Sequence, residues 1–183
     1  RLRILGVGHR LGHPVGPHLP PPRALGSDTM TASVDQRAEH NPAADYPALW
    51  PIGTRWHDND HYGHVNNVTY YSYFDTAVNG WLMQTTGVDI RTLPAIGVVA
   101  ETSCKYHREL SFPDRLQVGL SVEKLGTRSI VYALALFREA DDDELQLAAA
   151  GRFVHVYVDS ATRSPVAIPT EIEAAARTLV VPS

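Results

Sequence analysis

Between Asn66 and Thr85 the apolar side chains fall at Val68, Tyr71, Phe74, Val78, Trp81 and Leu82. Steps of three and four residues put these positions on one face of a helix. Extra bulk at Tyr70, Tyr73, Ala77 and Met83 widens that face, so the helix is expected to be buried over much of its surface. Asn66 suits its N-cap and Gly87 its C-terminal stop. Gly80 lies inside it at a cost of about 1 kcal/mol against Ala. Close approach of another backbone is the expected compensation.

Downstream the period changes to two. Leu116, Val118, Leu120 and Val122 alternate with polar or small residues, the mark of a strand with one wet face. Ile130 to Phe137 is almost wholly apolar and reads as a strand covered on both faces. Phe153 to Val158 is rich in β-branched and aromatic residues, and Ile96 to Tyr106 is a less regular strand. Trp50 to Trp56 reads as a short strand ahead of the helix, and Glu171 to Leu179 as a terminal helix capped by Thr170. Turns fall at Pro113-Asp114, at Gly126, and at Asp141-Asp142-Asp143, which reads as a solvated hairpin tip. Short connections favour antiparallel neighbours. One buried helix against a mostly antiparallel sheet of about five strands is an α+β layer arrangement.

Composition narrows the function classes. The chain has 183 residues, 44% hydrophobic and 20% charged, which suits one domain with a real core. A net charge of −4 argues against a nucleic-acid or anionic-membrane binder, which needs a basic face. The single cysteine, Cys104, excludes an internal disulfide and any multi-cysteine zinc site, and it reads as a small core residue. No apolar run approaches the ~20 residues of a membrane-spanning helix. A reducing cytoplasm is the expected setting.

The first 29 residues stand apart, with five prolines, five glycines and four arginines against the single acid Asp28. Pro20-Pro21-Pro22 fits neither helix nor central strand, and there is no apolar core of the kind a secretory signal has. Residues 1–47 are expected to be a disordered N-terminal extension, with Met30 a candidate natural start and residues 48–183 the folded domain.

The chemistry concentrates between the first strand and the helix. Residues His57 to His64 hold three histidines and two carboxylates, Asp58 and Asp60. The free N–H groups of the helix N-terminus follow at once, and they can polarise a carbonyl or hold an oxyanion. A carboxylate opposite such donors can attack a carbonyl or activate a water to do so. Acyl transfer or hydrolysis is the class this arrangement suits. A metal site built from His57, His61, His64, Asp58 and Asp60 lacks a recognised ligand spacing, so no metal is expected.

The run Asp58-x-Asp60-x-x-Gly63-His64-Val65-Asn66-Asn67, with Tyr70 and Tyr73-Phe74, resembles the opening motif of hotdog-fold thioesterases. The branch it is similar to contains the 4-hydroxybenzoyl-CoA and long-chain acyl-CoA thioesterases. The resemblance continues through Tyr106, Phe112-Pro113-Asp114 and Gly126-x-x-Ser129, across roughly residues 50–160. It implies a hotdog fold, a long central helix wrapped by an antiparallel sheet of five to six strands. It also implies a homodimer with sites at the subunit interface, or a tetramer made of two such dimers. By the same resemblance Asp60 is the catalytic carboxylate, the substrate carbonyl meets backbone N–H groups near Asn66 and Asn67, and Gly63 permits the turn. His64 and Val65 fall in the same substrate-binding loop, and Arg128 and Ser129 are its candidates for holding CoA.

Each residue also has a plainer role. Asp60 could cap the turn, Asp58 could pair with Arg55 to orient the loop, and His64 could be a structural loop histidine. Asp75, on the helix, is the rival catalytic acid. Arg128, Lys105, Arg108 and Arg152 could be ordinary surface charge. The expected function is hydrolysis of an acyl-CoA thioester, with CoA part of the substrate and no separate cofactor. The alternatives are hydrolysis of an acyl-carrier-protein thioester and a hotdog protein that binds acyl-CoA without turnover.

Overall fold

The computed structural model describes residues 42–141 and 144–181. Residues 1–41 of the expected extension over 1–47, Met30 among them, and Asp142 and Asp143 of the acidic tip lie outside the described residues.

A 20-residue helix, α1 (Asn67–Thr86), lies on an antiparallel sheet of five strands. The strands are β1 (Ala48–Gly53), β2 (Ala95–Tyr106), β3 (Arg115–Leu125), β4 (Ser129–Glu139) and β5 (Leu145–Asp159), in the spatial order β1-β3-β4-β5-β2. A short helix, α2 (Thr170–Arg177), closes the chain with Pro169 rather than Thr170 at its N-cap. This is the α+β hotdog arrangement read from the sequence, with five strands. Among the described residues no helix is long and apolar enough to cross a membrane.

The buried face of α1 is Tyr70, Tyr73, Phe74, Ala77, Val78, Trp81 and Leu82. Val68, expected on that face, is 64% exposed instead. At 100° per residue it lies on the opposite side from Tyr70, so the real stripe runs through the tyrosines that had seemed only to widen it. Gly80 does make room for a neighbour, but the neighbour is a side chain. A Cβ there would stand 2.6 Å from the Trp50 indole of β1. That β1 runs Ala48–Gly53, so Trp56 falls past its end, in a 3-10 turn, and is 80% exposed.

The all-apolar run in β4 is explained by two coverings. Ile130, Tyr132, Leu134 and Leu136 join the core under α1. On the outer face Ala135 and Phe137 pack with Ala43, and Tyr46 meets Phe137 edge-on at 5.8 Å between ring centres. The expectation that disorder reaches residue 47 is therefore corrected. Pro42–Asp45 forms a 3-10 turn because Ala43 and Tyr46 have an apolar patch to cover.

The two sheet edges differ. β1 is six residues long and contains Pro51. β2 is twelve residues long, has no proline, and is largely exposed beyond Ala95. Its register to β5 shifts between Val99 and Glu101.

Candidate active site

The loop from Arg55 to Asn66 is fixed from both ends. Asp58 is 2% exposed and is held on all sides. Its Oδ2 accepts from the Arg55 backbone N–H at 2.7 Å and from the Tyr73 hydroxyl at 2.8 Å. Its Oδ1 accepts from the Arg55 guanidinium at 2.9 and 3.0 Å. Burial works to raise this carboxyl; the hydrogen bonds from Arg55 and Tyr73 outweigh it and hold it below the usual aspartate value. The carbonyl of Asp58 also accepts the Asn66 N–H at 2.8 Å, which ties the loop to the start of α1. Asp58 therefore has the orienting role that its pairing with Arg55 suggested, and Tyr73 is a partner that the spacing did not reveal.

Asp60 sits in the turn that this strut supports. Its N–H donates to the His64 carbonyl at 2.7 Å, and its carbonyl accepts from Gly63 at 3.1 Å. Gly63 has φ +87°, a left-handed conformation that glycine adopts without strain. Within the turn, Asp60 Oδ1 accepts from the Tyr62 N–H at 2.8 Å and from the His64 N–H at 3.4 Å. Among the described residues Oδ2 has no hydrogen-bond partner. One carboxylate oxygen is tethered and the other is available.

The helix start presents matching donors. Asn66 is the N-cap, as its position suggested, and its Oδ1 accepts from the Val68 N–H at 3.1 Å. The Asn66 carbonyl accepts from Thr69 at 2.8 Å. The Asn67 N–H, first in the helix, has no acceptor among the described residues. Beside it lies a hollow of about 270 Å³ lined by His64, Val65, Asn67, Tyr70, Tyr106, His107, Arg108 and Glu109. The Val65 side chain is buried at its floor. His64 Nε2 lies 3.3 Å from the Glu109 carboxylate. Tyr106 donates to the Asn67 carbonyl at 3.2 Å and meets Tyr70 edge-on at 5.0 Å. Burial pushes the Tyr70 hydroxyl up to about 12, so it stays protonated.

The structure thus brings Asp60, Gly63, His64, Val65, Asn66 and Asn67 together. It does not bring Arg128 and Ser129 to them. Arg128 lies in the β3–β4 turn and Ser129 opens β4, where the Arg128 carbonyl accepts from the Tyr157 N–H at 2.8 Å, at the opposite end of the sheet. Asp75 is halfway along α1 and accepts from Asn79 at 3.1 Å, away from the loop. Cys104 is half-buried on β2 and packs at the margin of the core. No group of His, Cys, Asp and Glu suited to a metal ion occurs among the described residues.

A family model described as the thioesterase-like superfamily matches residues 54–176. No curated protein matches the chain. Among solved structures, the PA5185 protein from Pseudomonas aeruginosa is 48% identical, covers 75% of this chain and 94% of its own, and superposes with a TM-score of 0.71. The PA2801 protein of the same species, described as a candidate thioesterase, is 30% identical, with 71% and 98% covered and a TM-score of 0.64. A DHNA-CoA thioesterase from Staphylococcus aureus is 20% identical, with 66% and 79% covered and a TM-score of 0.59, and so speaks to the fold.

Proposed function

The chain belongs to the thioesterase-like superfamily and is a thioester hydrolase, and we propose that it cleaves an acyl-CoA thioester with Asp60 as the catalytic carboxylate. The observation that carries this is the pairing of a half-tethered carboxylate with a free helix N–H. Asp60 Oδ1 is held by Tyr62 and His64, which leaves Oδ2 to react. The Asn67 N–H would receive the thioester oxygen and stabilise the negative charge that develops there. Oδ2 then either attacks the carbonyl carbon or takes a proton from the water that attacks. In both routes the tetrahedral intermediate collapses, the C–S bond breaks, and the thiolate of CoA leaves. In the first, water hydrolyses the acyl-aspartate that forms. The net charge of −4 supports CoA over an acidic carrier protein, which would need a basic docking face.

We also propose that the working unit is a homodimer formed edge to edge through β2. β1 is a poor pairing edge because Pro51 has no N–H to offer. β2 is long and free of proline, and it exposes Val99 and Tyr106. Two copies of β2 running antiparallel would join the two sheets into one. Pairs of such dimers would make the tetramer.

The test is Asp60→Asn, which keeps the turn's acceptor oxygen and removes the carboxylate. Thiol release from a panel of acyl-CoAs should fall by roughly 10²–10⁴-fold or more, with acyl-CoA affinity by calorimetry little changed. A variant within about tenfold of wild type, beside an Asp75→Asn variant that is dead, would move the catalytic acid to the helix. Binding without hydrolysis of any acyl-CoA by the wild type would favour a non-catalytic binder.

A further inference from the structure

In the acyl-aspartate route Asp60 cannot finish the reaction alone. Once Oδ2 is bonded to the acyl carbon, neither oxygen of that side chain can take a proton from water. The water that cleaves the acyl-aspartate needs another base near the start of α1.

The hollow beside the Asn67 N–H offers few. Arg108 on its wall keeps its proton at any working pH. The Tyr70 and Tyr106 hydroxyls titrate above their ordinary value, chiefly through burial, so both enter the reaction protonated. His64, His107 and Glu109 remain. An imidazole is the side chain suited to exchanging protons near neutral pH, and the two histidines differ. His107 follows the end of β2, where its N–H donates to the Ala148 carbonyl at 2.8 Å. Its ring has no acidic partner among the described residues. His64 belongs to the Asp60 turn. Its N–H reaches Asp60 Oδ1 at 3.4 Å, and its carbonyl accepts from the Asp60 N–H at 2.7 Å. The reactive carboxylate and this imidazole therefore rise from one turn. The His64 side chain is 46% exposed, so water can reach it, and its Nε2 faces the Glu109 carboxylate at 3.3 Å. Nδ1 has no partner among the described residues. A carboxylate beside Nε2 favours the tautomer with the proton there and the lone pair on Nδ1. His61, the other histidine of the turn, packs on Tyr62 instead, with ring centres 5.8 Å apart.

We propose that His64 is a catalytic residue that carries the proton in both halves of the reaction, and that Glu109 is the positioning residue that holds its ring. The proposal rests on the Asp60 reading above. In the first half Asp60 Oδ2 attacks the thioester carbon. The C–S bond breaks, its electron pair goes to sulfur, and the His64 imidazolium gives its Nδ1 proton to the departing thiolate. In the second half the neutral Nδ1 takes a proton from water as the water oxygen bonds to the acyl carbon. The bond from that carbon to Oδ2 then breaks, and its electron pair returns Asp60 to a carboxylate. The acid leaves and His64 is protonated again. One thioester and one water have become one acid and one thiol.

The experiment uses the full chain and whichever of benzoyl-CoA and octanoyl-CoA the wild type turns over faster. His64→Gln should lower steady-state kcat by roughly 10²-fold or more. Its progress curve should begin with a burst of about one thiol per chain, because a thiolate leaves without help more readily than water attacks without a base. Mass spectrometry of the quenched variant should find the chain heavier by one acyl group, and the mass increase should be missing when Asp60→Asn is added. A merely structural loss would slow both phases and leave no adduct. The wild-type kcat should fall on the acid side between pH 5 and 8, where an imidazole changes charge, and His64→Gln should abolish that limb. Glu109→Ala should lower kcat about tenfold with KM little altered, and Glu109→Gln, which keeps an acceptor beside Nε2, should restore most of it. Glu109 is 78% exposed, so its variants fold and test the pair even if His64→Gln does not. His61→Gln should match the wild type. A His64→Gln variant within about threefold of wild type, or one that is slow with neither burst nor adduct, overturns the proposal. So does an unchanged kcat in Glu109→Ala, or loss of the acid limb in His107→Gln rather than His64→Gln. An active Asp60→Asn variant overturns the Asp60 reading and this one with it, and is told apart because position 64 is untouched.

Discussion

Tyr73→Phe removes one oxygen atom and should cost both stability and turnover. The Tyr73 hydroxyl donates to Asp58 at 2.8 Å, and Asp58 is 2% exposed, so water cannot take its place. A hydrogen bond to a charged group is worth about 1.5–3 kcal/mol. The Arg55 guanidinium and backbone remain on the carboxylate, so about 2 kcal/mol is expected. In a domain of this size that lowers Tm by roughly 6–8 °C. The loss should depend on pH in a definite direction. Asp58 titrates below its ordinary value in the folded protein. Stability from its pairing is therefore full at neutral pH and disappears as pH falls through the folded-state pKa. The gap between wild type and variant should be widest near pH 7 and close in acid. Tyr73 itself titrates above its ordinary value, chiefly through burial and then through Asp58. Its contribution thus persists through neutral pH and is lost only in strong alkali. Because the same strut orients Asp60, kcat should fall about tenfold with KM little altered. Thermal unfolding by circular dichroism across pH, beside kcat for one acyl-CoA, tests all of this. A Tm within about 1 °C of wild type at pH 7, or an equal loss at neutral and acid pH, would refute the reasoning.

Gly80→Ala should destabilise despite the better helix propensity of Ala, because the new Cβ would lie 2.6 Å from the Trp50 indole. Overpacking costs about 1–3 kcal/mol against a propensity gain of about 1, and a raised denaturation midpoint in urea would contradict it. Tyr46→Ala should uncover Phe137 on the outer face and cost about 2 kcal/mol or more with kcat unchanged, since Tyr46 is remote from Asp60; equilibrium denaturation and thiol release separate the two. Light scattering at micromolar concentration should give at least twice the 20.1 kDa chain mass, and an active monomer would remove the shared-edge reading.

Much of the fold was legible because period speaks directly to layer. The change from steps of three and four to steps of two located α1 and the strands that follow it. The errors occurred where exposure is decided by partners distant in sequence. Val68 has the right spacing from Tyr71 but lies about 200° round the helix from the buried Tyr70, on the solvent side. Residues 42–47 look polar and proline-bound, and the patch at Ala135 and Phe137, far away in sequence, gives Ala43 and Tyr46 something to pack on. In the site, Asp60, Gly63 and Asn66 could be read because turn and cap chemistry is local. Tyr73 could not be assigned to Asp58, which it reaches across fifteen residues, because the same tyrosine also satisfies the helix stripe.

Pro51 and β2 together set how the protein can grow. A sheet with two open edges can add copies without limit, which is how fibres begin. Here one edge is short and interrupted by an imide nitrogen, and the other is twelve residues of pairing-competent backbone. A sheet with one usable edge can accept a single neighbour, and when that neighbour is its own copy both edges are consumed at once. Under the proposed β2–β2 pairing, growth through the sheet would stop at its first bond. A substitution that restored an N–H at position 51 would remove the stop at the far side and turn a closed assembly into one with ends.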